Sequence, residues 1–197
     1  NFSCNVRLVD CVGYVIDGAK GYEDENGPRM VKTPWYDGEI PFIEAAEIGT
    51  EKVIRDHSSI GIVITTDGSF GEISRNNYLE AENRIINELK EIGKPFIVIL
   101  NSSHPTLPET ERLAEKRKDE YKVRVLPLSI EGMCEKEVYS VLRESLYEFP
   151  ITEVKINMPD WIACLNPTNS LKSEYIEKIK ESVVEVDKLR DIENITK

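Results

Sequence analysis

Leu8-Val9-Asp10-Cys11-Val12-Gly13 is the stretch on which the reading of this chain turns. It closes the β-branched segment Asn5-Val6-Arg7-Leu8-Val9 with an acid at the carboxyl end and a glycine shortly after. That pattern predicts a strand running into a functional turn. Downstream lie about thirty residues punctuated by Gly13, Gly18, Gly21, Gly27, Pro28, Pro34, Gly38 and Pro41, and a loop that long inside a compact domain is usually functional or mobile. A helical pattern then runs from about Phe42 to Asp56, with Ile48, Val53 and Ile54 among its apolar positions. The apolar run Ile60–Thr65 predicts a strand covered on both faces. Asn77 and Glu80 have capping-box spacing, and Tyr78, Ala81, Ile85, Leu89 and Ile92 supply a helical stripe that Gly93-Lys94-Pro95 ends. Phe96–Leu100 repeats the buried-strand signature. Thr106 and Glu109 space like a second capping box before a charged helix to about Tyr121, whose acidic run Glu109–Glu120 reads as a solvated face. Val123–Leu128 is the next strand, and Val138, Val141, Leu142 and Leu146 mark another helix. Strands alternating with helices predict an α/β fold, a doubly wound and mostly parallel sheet over residues 1–150.

After Phe149-Pro150 the pattern changes. Thr152–Asn157 reads as a strand of alternating character closed by Pro159, and Asn166-Pro167-Thr168-Asn169 as a turn. One long amphipathic helix is then predicted, with Leu171, Tyr175, Ile179, Val183, Val186 and Leu189 on its apolar stripe. Residues 151–197 are accordingly expected to begin a second, α+β domain.

At 197 residues the chain has room for one sizeable α/β domain and a short appendage. Its net charge of −11, from 36 acidic against 25 basic residues, argues against nucleic acid as a partner, because a phosphate backbone is bound by neutralising it. Docking on an anionic membrane is disfavoured for the same reason. No apolar run reaches transmembrane length. Cys4, Cys11, Cys134 and Cys164 have no metal-ligand spacing, and His57 and His104 are too scattered to complete one. Cys4 and Cys11 are expected at the two ends of one buried strand, reduced, which fits a cytosolic protein. Asn1-Phe2-Ser3 lacks a start methionine and leads straight into the predicted strand, so truncation is expected.

An apolar strand ending in Asp, with Gly three residues on, is how P-loop nucleotide hydrolases present their metal and γ-phosphate sensors. Asp10 would reach Mg²⁺ through a water, and Gly13 would offer a bare backbone N–H to the γ-phosphate. A strand-ending Asp also commonly just caps the next turn, and both readings stand for the motif alone. The order of elements adds weight. The strand at 96–100 runs into Asn101, where GTPases of this class carry Asn-Lys-x-Asp; here the sequence is Asn101-Ser102-Ser103-His104. Neither the acid that accepts from guanine nor the Lys that lies along the base is present. Either guanine is held differently or the base is adenine, and adenine is favoured. Ser129 ends the next strand, at a position from which such folds approach the base, and reads equally well as an ordinary turn serine. No Gly-x-x-x-x-Gly-Lys-Ser/Thr occurs, so the nucleotide site is expected to be incomplete within these residues.

Longer stretches make the resemblance specific. Arg7–Tyr14 (RLVDCVGY), Gly18–Met30 (GAKGYEDENGPRM), Thr33-Pro34-Trp35-Tyr36, Glu44–Thr50 (EAAEIGT), Thr65-Thr66-Asp67-Gly68 and Leu146–Pro150 (LYEFP) resemble the stage IV sporulation protein A family. Its members are spore-coat morphogenetic ATPases of endospore-forming bacteria, P-loop NTPases of the translation-factor class. The resemblance spans nearly the whole chain. It implies ATP with Mg²⁺ as cofactor and hydrolysis of the β–γ phosphoanhydride. It also implies self-assembly into a basement layer for the coat, in the mother-cell cytoplasm at the forespore surface. Partners implied are further copies of the chain, together with a small membrane-bound peptide and other coat proteins reached through regions outside these residues. Asp10 and Gly13 carry over from the family, whereas its phosphate-binding Lys and sensor threonines precede this sequence. Two alternatives stay open: a structural assembly module with a vestigial site, and a GTPase-like switch. The loop 14–44, with Trp35, Tyr36 and Phe42, is expected to be a switch that changes shape with the γ-phosphate.

Overall fold

The computed structural model describes residues 5–24, 27–184 and 186–195. They fall into two compact units, Asn1–Val141 and Leu142–Lys197. The core of the first is a parallel three-stranded sheet of β5 (Gly61–Thr66), β6 (Phe96–Asn101) and β7 (Val125–Leu128), in the order β5-β6-β7. Its register pairs Val63 with Val98 and Val98 with Val125. β6 is central and buried on both faces, with Phe96 to Leu100 at most 4% exposed, as a continuous apolar run requires. On one face Val98, Leu100, Val63 and Val125 pack with Ile86 and Leu89 of α2 (Arg75–Ile92) and with Ala114 and Tyr121 of α3 (Pro108–Tyr121). On the other, Ile97, Ile99 and Leu126 meet Val141 of α4 (Glu135–Tyr147). The α/β class expected from the alternating pattern is therefore present, with a parallel sheet between helices.

The long loop is built of two antiparallel ladders. β1 (Glu23–Asp24) pairs with β2 (Gly27–Pro28), and β3 (Met30–Lys32) pairs with β4 (Glu39–Pro41). The chain then enters α1 (Phe42–Lys52), which continues as a π-helical turn, Val53–His57. Trp35, at the tip of the β3–β4 hairpin, rests on α1. A Cβ added to Gly49 would stand 3.4 Å from its ring, and the Lys52 ammonium lies 5.9 Å from the ring centroid.

Several expectations need correction. Residues 5–16 form no strand. A strand exists only through its ladder, and the backbone here has no paired neighbour among the described residues. Cys11 is exposed, not buried at a strand end, and Cys4 lies outside the described residues. β5 is not covered evenly on both faces: Val63 is buried and Ile62 packs against the second cluster, but Ile64 is 61% exposed. Asn77–Glu80 is not the cap of α2; the helix begins earlier, with Ser74 as N-cap. The Ser74 hydroxyl donates to Asn77 Oδ1 at 2.7 Å, while Asn77 Nδ2 donates to the Asp17 carbonyl at 3.0 Å. Nor does Thr106 cap α3, which starts at Pro108 behind Leu107, using proline's preset φ at its first position.

In the second unit Thr152–Asn157 is not a strand, and the predicted long helix is two: α6 (Ser170–Val183) and α7 (Leu189–Ile195). Asn169 caps α6, accepting from the Leu171 N–H at 2.9 Å. The chain turns back between the helices, where Ile151 N–H donates to the Asp187 carbonyl and Leu189 N–H to that of Phe149. That return is fixed by Glu148, 3% exposed, which takes Lys188 at 2.7 Å and Arg190. A buried carboxylate needs such partners, and the helical stripe gave no sign of the break they impose. A short helix, α5 (Asp160–Ala163), buries Ile162 and leaves Trp161 exposed.

Candidate functional site

Asp10 and Gly13 line a cavity of about 480 Å³ together with residues of β5, whose outer edge is unpaired among the described residues, and of α2. Thr50, Thr65 and Tyr78 also line it. Asp10 is exposed, and its Oδ1 accepts from the Cys11 N–H at 3.0 Å, the local turn contact that the sequence left as an alternative. Among the described residues its Oδ2 takes no hydrogen bond or ion pair, and Asp10 lines the cavity. Gly13 has φ +79°, a left-handed conformation that a side chain adopts at a cost. An added Cβ would meet nothing within 4 Å, so backbone conformation, and not crowding, is what requires glycine here. Its N–H donates to Thr50 Oγ1 at 3.0 Å.

The next residue is clamped. The Tyr14 phenol donates to Glu88, and its ring lies under the Arg84 guanidinium at 4.2 Å. Arg84 in turn grips Glu47 of α1 with two nitrogens, at 2.5 and 3.0 Å. Burial, and then the Glu88 carboxylate, hold the Tyr14 phenol well above its ordinary pKa, so it stays a neutral donor. Two successive residues, Gly13 and Tyr14, are thus tied to α1 and α2.

A second cluster lies at the carboxyl ends of the parallel strands, where α/β sheets bind ligands. Asn101 has a local partner. Its Oδ1 accepts from the Ile130 N–H at 3.0 Å and so fixes the loop that carries Ser129, which is half-buried. Ser102, at the position where GTPases carry the Lys of Asn-Lys-x-Asp, is fully buried; its Oγ accepts from the His104 N–H at 3.0 Å and it bonds Asp67. Asp67 also takes the Ser69 N–H at 2.9 Å and the Thr110 hydroxyl at 3.4 Å. Burial acts to raise the Asp67 pKa, but the hydrogen bonds from Ser102, Ser69 and Thr110 outweigh it and hold the carboxyl below its ordinary value. Gly68 follows in a turn so close to α2 that a Cβ would stand 3.0 Å from the Arg75 nitrogen. Asn101 and Ser129 therefore share one loop cluster; Asp10 and Gly13 share the cavity, which Asn101 and Ser129 do not line.

Between them lies a buried ionic network that the sequence reading missed. Glu82 of α2 is 4% exposed and takes Arg75 at 2.7 Å, the Thr65 hydroxyl and the Tyr121 phenol. Arg117 approaches at 4.0 Å. Burial acts to raise the Glu82 pKa, and its partners, Arg75 foremost, bring it below the ordinary 4.5. A carboxylate with a depressed folded-state pKa contributes stability above its unfolded value and loses it as pH falls through the folded one. Acidification below pH 4.5 is therefore expected to lower the urea midpoint of the wild-type chain, and Glu82→Gln should remove part of that slope. Urea titrations at a series of pH values read both.

Comparisons with known proteins show the family. The family model for the stage IV sporulation protein A ATPase domain matches residues 1–150, and that for its middle domain residues 151–197. The chain belongs to the stage IV sporulation protein A family. Family members from Bacillus anthracis and Bacillus subtilis (strain 168) are each 56% identical over 191 residues, 97% of this chain. The member from Clostridioides difficile (strain 630) is 46% identical over 193 residues, 98% of the chain. The chain spans 39% of the length of each of these relatives. No solved structure matches it. Among the described residues no helix is long and apolar enough to cross a membrane.

Two polar residues lining the cavity, Thr50 and Glu82, had no role in the sequence reading. Thr50 is a polar residue 1% exposed beside the buried Ala45 and Ala46, and Glu82 falls between Tyr78 and Ile85 on the apolar stripe of α2. A polar side chain on a buried face was the signal available for each.

Proposed function

We propose that the chain is the metal-sensing and γ-phosphate-sensing half of an ATP-hydrolysing core. In the intact protein that core would drive self-assembly into a basement layer for the spore coat. The observation that carries the reading is that Asp10 and Gly13 line one cavity with β5, a parallel strand whose outer edge is unpaired among the described residues. A doubly wound sheet places a further strand there, with a phosphate-binding turn at its end. The residues present fit a nucleotide with Mg²⁺: Asp10 has a free carboxylate oxygen and Gly13 an N–H that a phosphate oxygen can take over. Bound Mg·ATP would supply the reactive phosphoanhydride and neutralise charge on its oxygens. Asp10 would hold the metal through a water, Gly13 would bind the terminal phosphate, and Tyr14 would keep that turn in register with α1 and α2.

Base choice would fall to the loops at Asn101 and Ser129. Ser102 is turned inward to Asp67 and His104, so no side chain at that position lies along the base, which supports adenine over guanine. The mother-cell cytoplasm at the forespore surface, further copies of the chain, other coat proteins and a small membrane-bound peptide are the setting and partners we assign. The net charge of −11 supports excluding nucleic acid.

Calorimetric titration of Mg·ATP and Mg·GTP tests the reading, on this chain and on one extended N-terminally through the phosphate loop. The extended chain is expected to bind and to prefer ATP, and this chain to bind weakly or not at all. Binding of neither nucleotide by either chain would leave a structural module with a vestigial site; preference for GTP would leave a GTPase-like switch.

A further inference from the structure

The Gly13 amide is not waiting unpaired. It donates to Thr50 Oγ1 at 3.0 Å across 37 residues of sequence, and Thr50 is 1% exposed within α1. We infer that Thr50 is a latch: its hydroxyl holds the Gly13 N–H when no anion faces it and yields that N–H to the terminal phosphate of a nucleoside triphosphate. The inference rests on the nucleotide reading above and assigns to that site a positioning residue outside its motif.

Four features support it. A half-buried amide without an acceptor costs about 1–3 kcal/mol, so an empty site needs a stand-in, and Thr50 is the residue that supplies it. The stand-in is neutral. A hydrogen bond to a charged oxygen is roughly twice as strong as one to a hydroxyl, so a phosphate can displace Thr50 and Thr50 can recapture the amide afterwards. A carboxylate at position 50 would hold the amide more strongly and repel the phosphate. Gly13 and Thr50 both line the cavity, so the anion reaches the amide from the cavity side. Finally, the motion required is local. Tyr14 stays anchored to Glu88 and Arg84, and Gly13, at φ +79°, is the residue whose backbone can turn.

The latch acts on the γ-phosphate alone, so it sets discrimination between triphosphate and diphosphate. In the full-length protein, affinities for Mg·ADP and for Mg with the β,γ-imido analogue of ATP are measured for wild type, Thr50→Val and Thr50→Ser. Valine keeps the volume and removes the acceptor; serine keeps the acceptor. Thr50→Val is expected to raise the preference for the triphosphate analogue about three- to tenfold. Affinity for Mg·ADP should stay unchanged, and Thr50→Ser should match wild type. Equal preference in wild type and Thr50→Val overturns the latch, as does a Thr50→Ser that behaves like valine or a Thr50→Val that loses Mg·ADP as well. Those results differ from failure of the nucleotide reading itself, in which the wild-type protein binds neither nucleotide and the latch falls with it.

Discussion

Asp10→Ala in the full-length protein is expected to lower Mg²⁺-dependent ATP turnover by a hundredfold or more, on the order of the loss when one preorganised electrostatic group is removed from an active site. The fold should hardly notice. Asp10 is exposed, and its described contact is the hydrogen bond from the adjacent Cys11 N–H, so the stability change should stay within about 1 kcal/mol. Asp10→Asn separates the two roles, because an asparagine oxygen can still accept from Cys11 but carries no charge for a metal. It should lose turnover as alanine does while keeping wild-type stability. Phosphate release and a urea midpoint, measured on the same preparations, decide the matter. Turnover that survives both changes would remove Asp10 from the site and leave it a turn cap.

The largest effect on stability is expected at Glu82. Glu82→Ala leaves the Arg75 guanidinium, with 14% side-chain exposure, and the Tyr121 phenol facing a void where their shared acceptor stood. Breaking a buried pair from one side costs about 3–5 kcal/mol, a large part of the 5–15 kcal/mol or so that holds a typical domain together. The urea midpoint of the chain should fall accordingly, with Glu82→Gln between alanine and wild type because it still accepts from Thr65. The double change Glu82→Leu with Arg75→Met removes both charges and should recover part of the loss. A Glu82→Ala midpoint close to wild type would mean that the network contributes nothing net.

Much of the fold was legible. β5, β6 and β7 were each announced by an apolar run, since a strand of a parallel sheet buries most of its residues and admits few polar ones. The stripe of α2 and its end at Gly93 were equally plain. What failed had a physical cause in each case. Asn5–Val9 has the composition of a strand, but pairing is not a property of composition, and the backbone there has no described neighbour. The start of α2 was misplaced because Ser74 and Asn77 are both capping types and only the tertiary contact of Asn77 with Asp17 distinguishes them. The helix expected through Leu189 breaks because Glu148 collects Lys188 and Arg190 from beyond the turn. Of the candidate site, Asp10 and Gly13 could be named from their spacing. Thr50 and Glu82 could not be given roles, because their partners lie far off in sequence. Asn101 was named as a base reader, and the structure adds that its side chain is committed to holding the following loop.

Several contacts around the long loop land on α1, and this has a mechanical consequence. Phe42 at its start takes the Arg29 guanidinium at 5.7 Å, Glu47 receives the Arg84 that stacks on Tyr14, Gly49 carries Trp35, and Thr50 holds Gly13. An eleven-residue helix is a rod of about 16 Å, stiff over that length, with loads applied at successive turns along its side. Such a rod transmits torque. A turn of the Gly13 peptide that unloads Thr50 alters the force balance under Trp35 one helical step away, and a push on the exposed hairpin returns along the same rod to Gly13. α1 is in this sense a lever, with one arm at Gly13 and the other on the surface around Trp35.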